Sequence, residues 1–511
     1  MSDSKHQTIL PGTCYLVGAG PGDPGLLTVK GAECLRKAEV LVYDALANPE
    51  LLQLAPADCE RINAGKRAKK HKLTQDETNA LLVKKCIEGK TVVRLKGGDP
   101  MIFGRGGEEA QELQKAGISF EIVPGISSSI AGPIYAGIPV THRSCNTELT
   151  IFTGHEDPTK EESSIDYPRL ASGKGTLVML MGVSRLRIIT GELAQHGASP
   201  DLPVALVRWA TTGRQETVTG TISTIADVVE KAGFKSPAVC VIGHVVSLRD
   251  ELRWFDNRPL FGKRVVVTRT RKQAGALSVQ LRQLGADALE LPTIRIEPAK
   301  DQPALRAAVE DAHHYDWIVF TSPNGVEHYF DKFYEVFSDA RSIGGTRIAA
   351  VGPGTAKKLL EYRFATDLLP AGNFVAEGLI EAFQKETSVE HLRILWVRAE
   401  EARPELAEFF QREGAILDEA IVYRTVPETS DVTGAARILE DEGADVITFT
   451  SASTVDHFMD MGIPLTEDVR IASIGPVTSE AVRSHGMTVD IEAKEHNIPG
   501  LVAAVRELLE G

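Results

Sequence analysis

Residues 94–109 read RLKGGDPMIFGRGGEE, and the run that leads into them is TVVRLKGGD. A short Val- and Leu-rich run that stops on paired glycines predicts a buried strand ending in a tight turn, with Asp99 beside exposed main chain. The pattern recurs on both sides. TCYLVGAG, AEVLVYDA, ELTIFTGH, GTLVMLMG, PVALVRWA and PAVCVIGH are short, rich in Val, Ile and Leu, and end on Gly or a polar residue. TVKGAECLRKA and TQDETNALLVKKCIEG between them carry helical spacing. Together these runs predict an α/β fold built on largely parallel sheets. The polar stretch HEDPTKEESSIDYPRLASGKG, residues 155–175, predicts a break between two lobes. A second break, LRDELRWFDNRPLFGKR near residues 248–264, marks where a different half begins.

That second half repeats itself. VVVTR ends at Arg269 and LWVR at Arg398; the glycines of RQLGA and QREGA are Gly285 and Gly414; DWIVFTS and DVITFTS begin at Asp316 and Asp445. All three pairs are 129 apart. RIAAVGPGTA at Arg347 and RIASIGPVTS at Arg470 differ by 123, so six residues are missing between them in the second copy. Four landmarks in order predict a duplicated α/β unit forming two similar lobes. A ligand would then bind between the lobes, beyond the carboxyl ends of the strands.

Composition bounds the function. At about 150 residues per domain, 511 residues suggest three to four domains. A content of 43% hydrophobic and 25% charged residues excludes disordered, collagen-like and fibrous classes. Residues 1–260 carry 30 Lys+Arg against 30 Asp+Glu, and residues 261–511 carry 26 against 40, so the net charge of −14 lies in the second half. That excess argues against general nucleic-acid binding, and an acidic substrate would need a local basic site. No apolar run reaches the roughly 20 residues of a membrane span, and MSDSKHQTILPG offers no signal-peptide core. A cytoplasmic chain without a membrane partner is expected. All six cysteines (14, 34, 59, 86, 145, 240) lie in the first half without a CxxC pair, which predicts reduced thiols and no zinc site or other metal.

GAGPGDPGLLT, from Gly18 to Thr28, follows a strand, and Asp44 ends the next strand. Read alone, this suggests a dinucleotide-binding turn with an acid for the ribose, although GxGxG is not the fingerprint spacing. With RLKGGDPMIFGRGGEE, VPGISSSIAGPIYAGIPVTHR and LMGVS, however, residues 12 to about 255 resemble the tetrapyrrole methyltransferases, specifically uroporphyrinogen-III C-methyltransferase. The resemblance implies two S-adenosylmethionine-dependent methylations of uroporphyrinogen III, at C2 and C7, giving precorrin-2. It also implies a homodimer through this half. The reaction is an in-line displacement that needs alignment of the reactants and removal of a proton. Carried over by position, the cofactor contacts would be Pro21, Gly97, Gly98, Asp99, Ile102, Ser127, Ser128, Met181 and Ala210. Asp44 would be the proton acceptor and Lys66 the donor. Alternatively, Asp44 caps the next helix, Met181 fills the core, and Lys66 belongs to a solvated face. A substrate rich in carboxylates suits a basic cluster of Arg61, Lys66, Arg67, Lys69, Lys70 and Lys72, with Arg94, Arg105 and Arg143 able to help. Two positions depart from the family pattern: Ser184 stands where Asn is usual, and Ala210 where Gly is usual.

After residue 262 no nucleophile, metal spacing or phosphate loop stands out. Hydroxyls recur at strand ends instead: Thr321 and Ser322, Thr450 and Ser451, Thr355 and Thr478. They read equally as helix N-caps and as neutral anion holders, and an N-cap turn can be both. These features, with VVVTR, GADALELPTI and AIVYRT, resemble uroporphyrinogen-III synthase over residues 262 to about 508. One lobe should combine residues 262–297 with 428–511, and the other should span 298–422. The resemblance implies cyclisation of hydroxymethylbilane with inversion of ring D, no cofactor, and a role for Tyr423 near the leaving hydroxyl; the alternative for Tyr423 is packing. The product of the second half would be the substrate of the first. Two rivals remain at this stage: a dinucleotide oxidoreductase in the first half, or a second half that only binds a tetrapyrrole.

Overall fold

The computed structural model describes residues 12–65, 73–155, 163–269, 271–372, 374–429, 431, 433–466 and 468–510, with the backbone alone for 271–274. Four five-stranded sheets organise these residues. β1 (Cys14–Gly18), β2 (Val40–Tyr43), β3 (Glu60–Asn63), β4 (Val92–Lys96) and β5 (Phe120–Val123) form the first, in the order β3-β2-β4-β1-β5. All its pairings are parallel, as the apolar runs predict. Leu16, Val17, Val92 and Val93 are completely buried in its centre. Its edges, ERIN and FEIV, were not legible as strands because an edge is half exposed and carries no continuous apolar run.

β6 (Leu149–Thr153), β7 (Thr176–Leu180), β8 (Pro203–Arg208), β9 (Glu216–Thr221) and β10 (Ala238–Ile242) form the second sheet, ordered β6-β7-β10-β8-β9. Here the expectation of parallel strands fails. Only β6 and β7 are parallel; β10 runs antiparallel to both β7 and β8, and β8 to β9. A strand buried on both faces has the same composition in either direction, so the runs alone do not set the sense of pairing. The expected break at 155–175 also moves. Leu149 already pairs with Thr176, so the change of sheet falls between β5 and β6.

The remaining chain alternates between two sheets. β11 (Arg264–Val267) and β12 (Asp287–Glu290) begin the third. The chain then builds the fourth from β13 (Ile294–Pro298), β14 (Trp317–Phe320), β15 (Arg347–Ala350), β16 (Arg393–Ala399) and β17 (Ile416–Pro427). It returns to the third with β18 (Val446–Phe449), β19 (Arg470–Ser473) and β20 (Ile491–Glu492). The orders are β12-β11-β18-β19-β20 and β13-β17-β16-β14-β15. The repeat is visible in them: β12-β11-β18-β19 and β17-β16-β14-β15 are the same arrangement, each taking strands from both copies. The compact units are Met1–Leu291 with Ser430–Gly511, and Pro292–Thr429. The crossing therefore precedes the expected 297/298 boundary, because Ile294 to Pro298 pair antiparallel with β17.

Candidate active site

The first unit places its glycine turns side by side. Ala19 N donates to the Lys96 carbonyl at 2.7 Å, and Gly20 and Gly98 exchange backbone hydrogen bonds at 3.2 and 2.8 Å. A Cβ on Gly18 would stand 2.5 Å from Gly125 Cα and 2.7 Å from the Gly98 carbonyl oxygen, so three backbones meet where no side chain fits. Asp99 ties the junction together: Oδ1 accepts from Met101 N at 2.7 Å and Oδ2 from Gly125 N at 2.9 Å. Gly125 leads to Ser127, the N-cap of the helix Ser128–Tyr135, and Ser128 N lies 3.6 Å from a Cβ built on Gly98. Gly22, two residues after Gly20, packs against Ala210 and Thr211, and Asp23 N donates to Thr211 Oγ1 at 2.9 Å.

Near these turns, and just after β7, the backbone is held in conformations that side chains resist. Phe103, Arg105, Met181, Trp209 and Thr211 have φ of 53°, 60°, 55°, 47° and 71°, five of the seven non-glycine residues at positive φ among those described. Such positions cost about 1–3 kcal/mol each and gather at ligand sites. Met181 is 49% exposed and Ile102 40%, so Met181 is not core filler. The bare main chain of the packed glycine turns, with exposed Ile102 on the same loop, suits an adenosyl group, and these residues fit S-adenosylmethionine; Met181 is exposed just after β7. Ala210 is buried, with Cβ 3.4 Å from a Cβ built on Gly132, so its methyl group is accommodated by helix packing.

Asp44 follows β2 and is 30% exposed at its side chain. It does not cap the next helical turn; Asn48 does, accepting from Glu50 N at 2.9 Å. Instead Asp44 Oδ1 accepts from Arg94 at 2.5 Å. Arg94 Nε and Lys96 Nζ both donate to Glu109 Oε1, at 3.0 and 2.8 Å, and Glu109 is 0% exposed. Burial opposes charge on Arg94, but Asp44 and Glu109 outweigh it and raise its pKa. Burial, and then the neighbouring Arg94, lower that of Lys96. Two cations and two anions thus form one cluster, with Asp44 as the member that meets solvent.

Arg94 was expected to help hold substrate carboxylates; this burial removes it from that role. Arg61 is likewise committed, donating to the carbonyls of Leu52, Ala55, Pro56, Ala57 and Cys59. Lys66 and Arg67, with Lys69, Lys70 and Lys72, lie outside the described residues. Arg105 is half exposed and forms a bidentate pair with Glu108, at 2.9 and 2.7 Å; Arg143 is exposed. Glu109 and Lys96 were missed in the sequence because the run of residues does not disclose that a helix glutamate and a strand lysine are buried against each other.

In the second unit, Ser322 caps the helix Pro323–Val336 and accepts from Gly325 N at 2.9 Å. The Tyr423 hydroxyl lies 3.1 Å from Ser322 Oγ, and its ring stacks on His328 at 5.8 Å. Burial pushes the Tyr423 pKa up, against hydrogen bonds with Ser322 and Asn324. Thr321 Oγ1 donates to the Val397 carbonyl at 3.4 Å. In the first unit, Thr450 follows β18 and Ser451 caps the helix Ala452–Asp460 in a capping box with Thr454. Thr355 and Thr478 are each 3% exposed inside the first turn of a helix, and burial takes both hydroxyls off the surface.

The glycine turns and the charge cluster lie in a stretch of the chain that belongs to the class of tetrapyrrole methyltransferases. Residues 13–226 match the family described as Tetrapyrrole (Corrin/Porphyrin) Methylases, and residues 275–503 match Uroporphyrinogen-III synthase HemD. The chain is 36% identical over 502 residues to the porphyrin biosynthesis protein HemD of Ruminiclostridium josui, covering 97% of this chain and 98% of that one. It is 53% identical over 241 residues to the S-adenosyl-L-methionine-dependent uroporphyrinogen III methyltransferase of Methanosarcina barkeri, covering 47% and 94%. The solved uroporphyrin-III C-methyl transferase of Thermus thermophilus, complexed with S-adenyl homocysteine, is 37% identical with a TM-score of 0.40, covering 46% and 100%. The chain belongs to the uroporphyrinogen-III C-methyltransferase family, in the form fused to a uroporphyrinogen-III synthase.

Proposed function

We propose that the second half, residues 262–511, cyclises hydroxymethylbilane to uroporphyrinogen III with inversion of ring D. The first half, residues 12–255, then methylates that product at C2 and C7 to give precorrin-2. The observation that carries this reading is that the two family matches occupy successive parts of one chain, and the product of one reaction is the substrate of the other. S-adenosylmethionine supplies an electrophilic methyl group when bound. Pro21, Gly97, Gly98, Asp99, Ile102, Ser127, Ser128, Met181 and Ala210 are the residues that would hold it.

Asp44 takes the proton from the alkylated ring. Arg94 holds it in place by a hydrogen bond, and its partial exposure leaves it accessible. Lys66 is the proposed donor, and Arg67, Arg105 and Arg143 the proposed carboxylate contacts. In the synthase, Tyr423 is the proposed residue at the leaving hydroxyl, and Thr321, Ser322, Thr355, Thr450, Ser451 and Thr478 are proposed substrate contacts. The chain works in the cytoplasm as a homodimer formed through its methyltransferase half, and no helix among the described residues is long and apolar enough to cross a membrane.

The test is a coupled anaerobic assay of the full chain with hydroxymethylbilane, with and without S-adenosylmethionine. Type III uroporphyrinogen alone, and two added methyl groups with the cofactor, are expected. Type I isomer carrying methyl groups would reduce the second half to a binding module, and failure to methylate supplied uroporphyrinogen III would refute the first half's assignment.

A further inference from the structure

The segment Trp209–Gln215 belongs to two neighbourhoods. On one side it backs the first glycine loop. Thr211 Oγ1 accepts from Asp23 N, and a Cβ on Gly22 would stand 2.9 Å from Thr212 Cγ2 and 3.0 Å from the Ala210 carbonyl oxygen. On the other side it meets the third sheet, which belongs to the synthase half. Gly262 N donates to the Gly213 carbonyl at 3.1 Å. A Cβ on Gly213 would stand 2.1 Å from Asp287 N and 2.4 Å from the Ala286 carbonyl carbon. Arg214 reaches Glu442 at 3.3 Å and Asp287 at 3.6 Å, and its guanidinium lies 4.7 Å from the centre of the Trp209 ring. Asp287 and Glu442 are themselves anchored, each accepting from Arg264 at 2.8 Å.

Between these neighbourhoods stand Trp209 and Thr211, both at positive φ. Such residues persist only where their surroundings over-determine them. Gln215 supplies part of that hold. Its Oε1 accepts from Thr211 N at 3.0 Å, and its Nε2 donates to the Tyr135 carbonyl at 3.1 Å and to Asp256 Oδ1 at 3.0 Å. The synthase sheet supplies the rest at Gly213 and Arg214.

We propose that the third sheet is a supporting wall of the cofactor site. Through Gly213 and Arg214 it holds Trp209–Thr212 in the turn that backs Pro21–Asp23, so that binding of S-adenosylmethionine and packing of the synthase sheet stabilise one another. Gly213 and Arg214 are positioning residues. The inference rests on the reading of Pro21 and Ala210 as cofactor contacts. Gly213 is outside the left-handed region, so the effect of a methyl group there comes from its collision with Asp287 rather than from its own backbone preference.

The experiment titrates the full chain with S-adenosylhomocysteine by calorimetry and follows amide hydrogen exchange with and without it. Gly213→Ala is expected to weaken binding by at least about fivefold, the lower end of ordinary coupling between sites, and Arg214→Ala by less. Because coupling is reciprocal, saturating the wild-type chain should slow exchange at residues 286–290 as well as at 18–28 and 209–215. A folded Gly213→Ala chain, with a cooperative melt, that binds as tightly as wild type would overturn the proposal. So would protection at 18–28 and 209–215 that leaves 286–290 unchanged. Should Gly213→Ala not fold, Arg214→Ala and the wild-type exchange pattern decide in the same way. Protection absent from both 18–28 and 209–215 would overturn the cofactor-site reading itself.

Discussion

The two halves use strand ends differently. In the methyltransferase half the ends of β2 and β4 carry buried and half-buried charge: Asp44, Arg94, Lys96 and Glu109 form one cluster, and the neighbouring turns hold side chains at positive φ. In the synthase half the corresponding positions carry hydroxyls, several of which cap helices, as Ser322 and Ser451 do. Charge inside a fold must be paired to be tolerated, whereas a hydroxyl is satisfied by one backbone N–H. The first half therefore presents a partly exposed carboxylate anchored by a buried cation. The second presents neutral donors and acceptors, which suits the control of a flexible substrate's shape.

The comparison is broken most severely at Arg94. Arg94→Ala leaves Glu109 and Asp44 without their shared cation, and a loss of about 3–5 kcal/mol in stability is expected by denaturant unfolding. An unchanged unfolding midpoint would show that the cluster is not electrostatically bound together. Asp44→Asn keeps shape and removes the carboxylate proposed as the base. Methyl transfer should fall by roughly 10²–10⁴, with the yield of uroporphyrinogen III from hydroxymethylbilane untouched. An equal fall in both activities would assign the loss to folding instead.

A third prediction concerns the seam, where a buried charge is shared between the halves. Glu50 pairs with Arg282, which also reaches Glu290 at 3.5 Å. Burial, set against Arg282, pushes the Glu50 pKa up to about 8. The folded chain then binds a proton more readily than the unfolded one. The associated stability is fully present below the ordinary glutamate range and is lost as pH rises through about 8. Thermal midpoints should fall across that window in wild type and less steeply in Glu50→Gln; parallel pH profiles would refute the shift. The smallest effect is expected at Tyr423→Phe, which removes the contact with Ser322 and should cost about 0.5–1.5 kcal/mol. Its sharper reading is the isomer ratio: more type I product would give the hydroxyl a part in the reaction, and an unchanged ratio would leave it a packing residue.

Much of the architecture can be read from short runs. Central strands such as TVVRLKGGD declare themselves because burial on both faces demands unbroken apolar character. The duplication is explicit in the 129-residue offsets. Edge strands such as ERIN did not show, since solvent on one side permits polar residues, and the antiparallel sense of β10 did not show because composition carries no direction. The glycine turns that pack against one another were legible from motif and order. The partners of Asp44 were not: Arg94 and Glu109 lie fifteen residues apart in sequence and meet only because a strand and a helix pack together.

By itself, then, the sequence determined the two-part organisation, the α/β class, the repeat and the chemistry available at each strand end. These depend on local periodicity and on residue type. Only the tertiary structure decided which charges are buried together, that Arg61 and Arg94 face inward, that β13 belongs with β17, and that Gly213 sits against Asp287. Each of those outcomes depends on distances between residues far apart in the chain, which packing sets and local sequence does not encode.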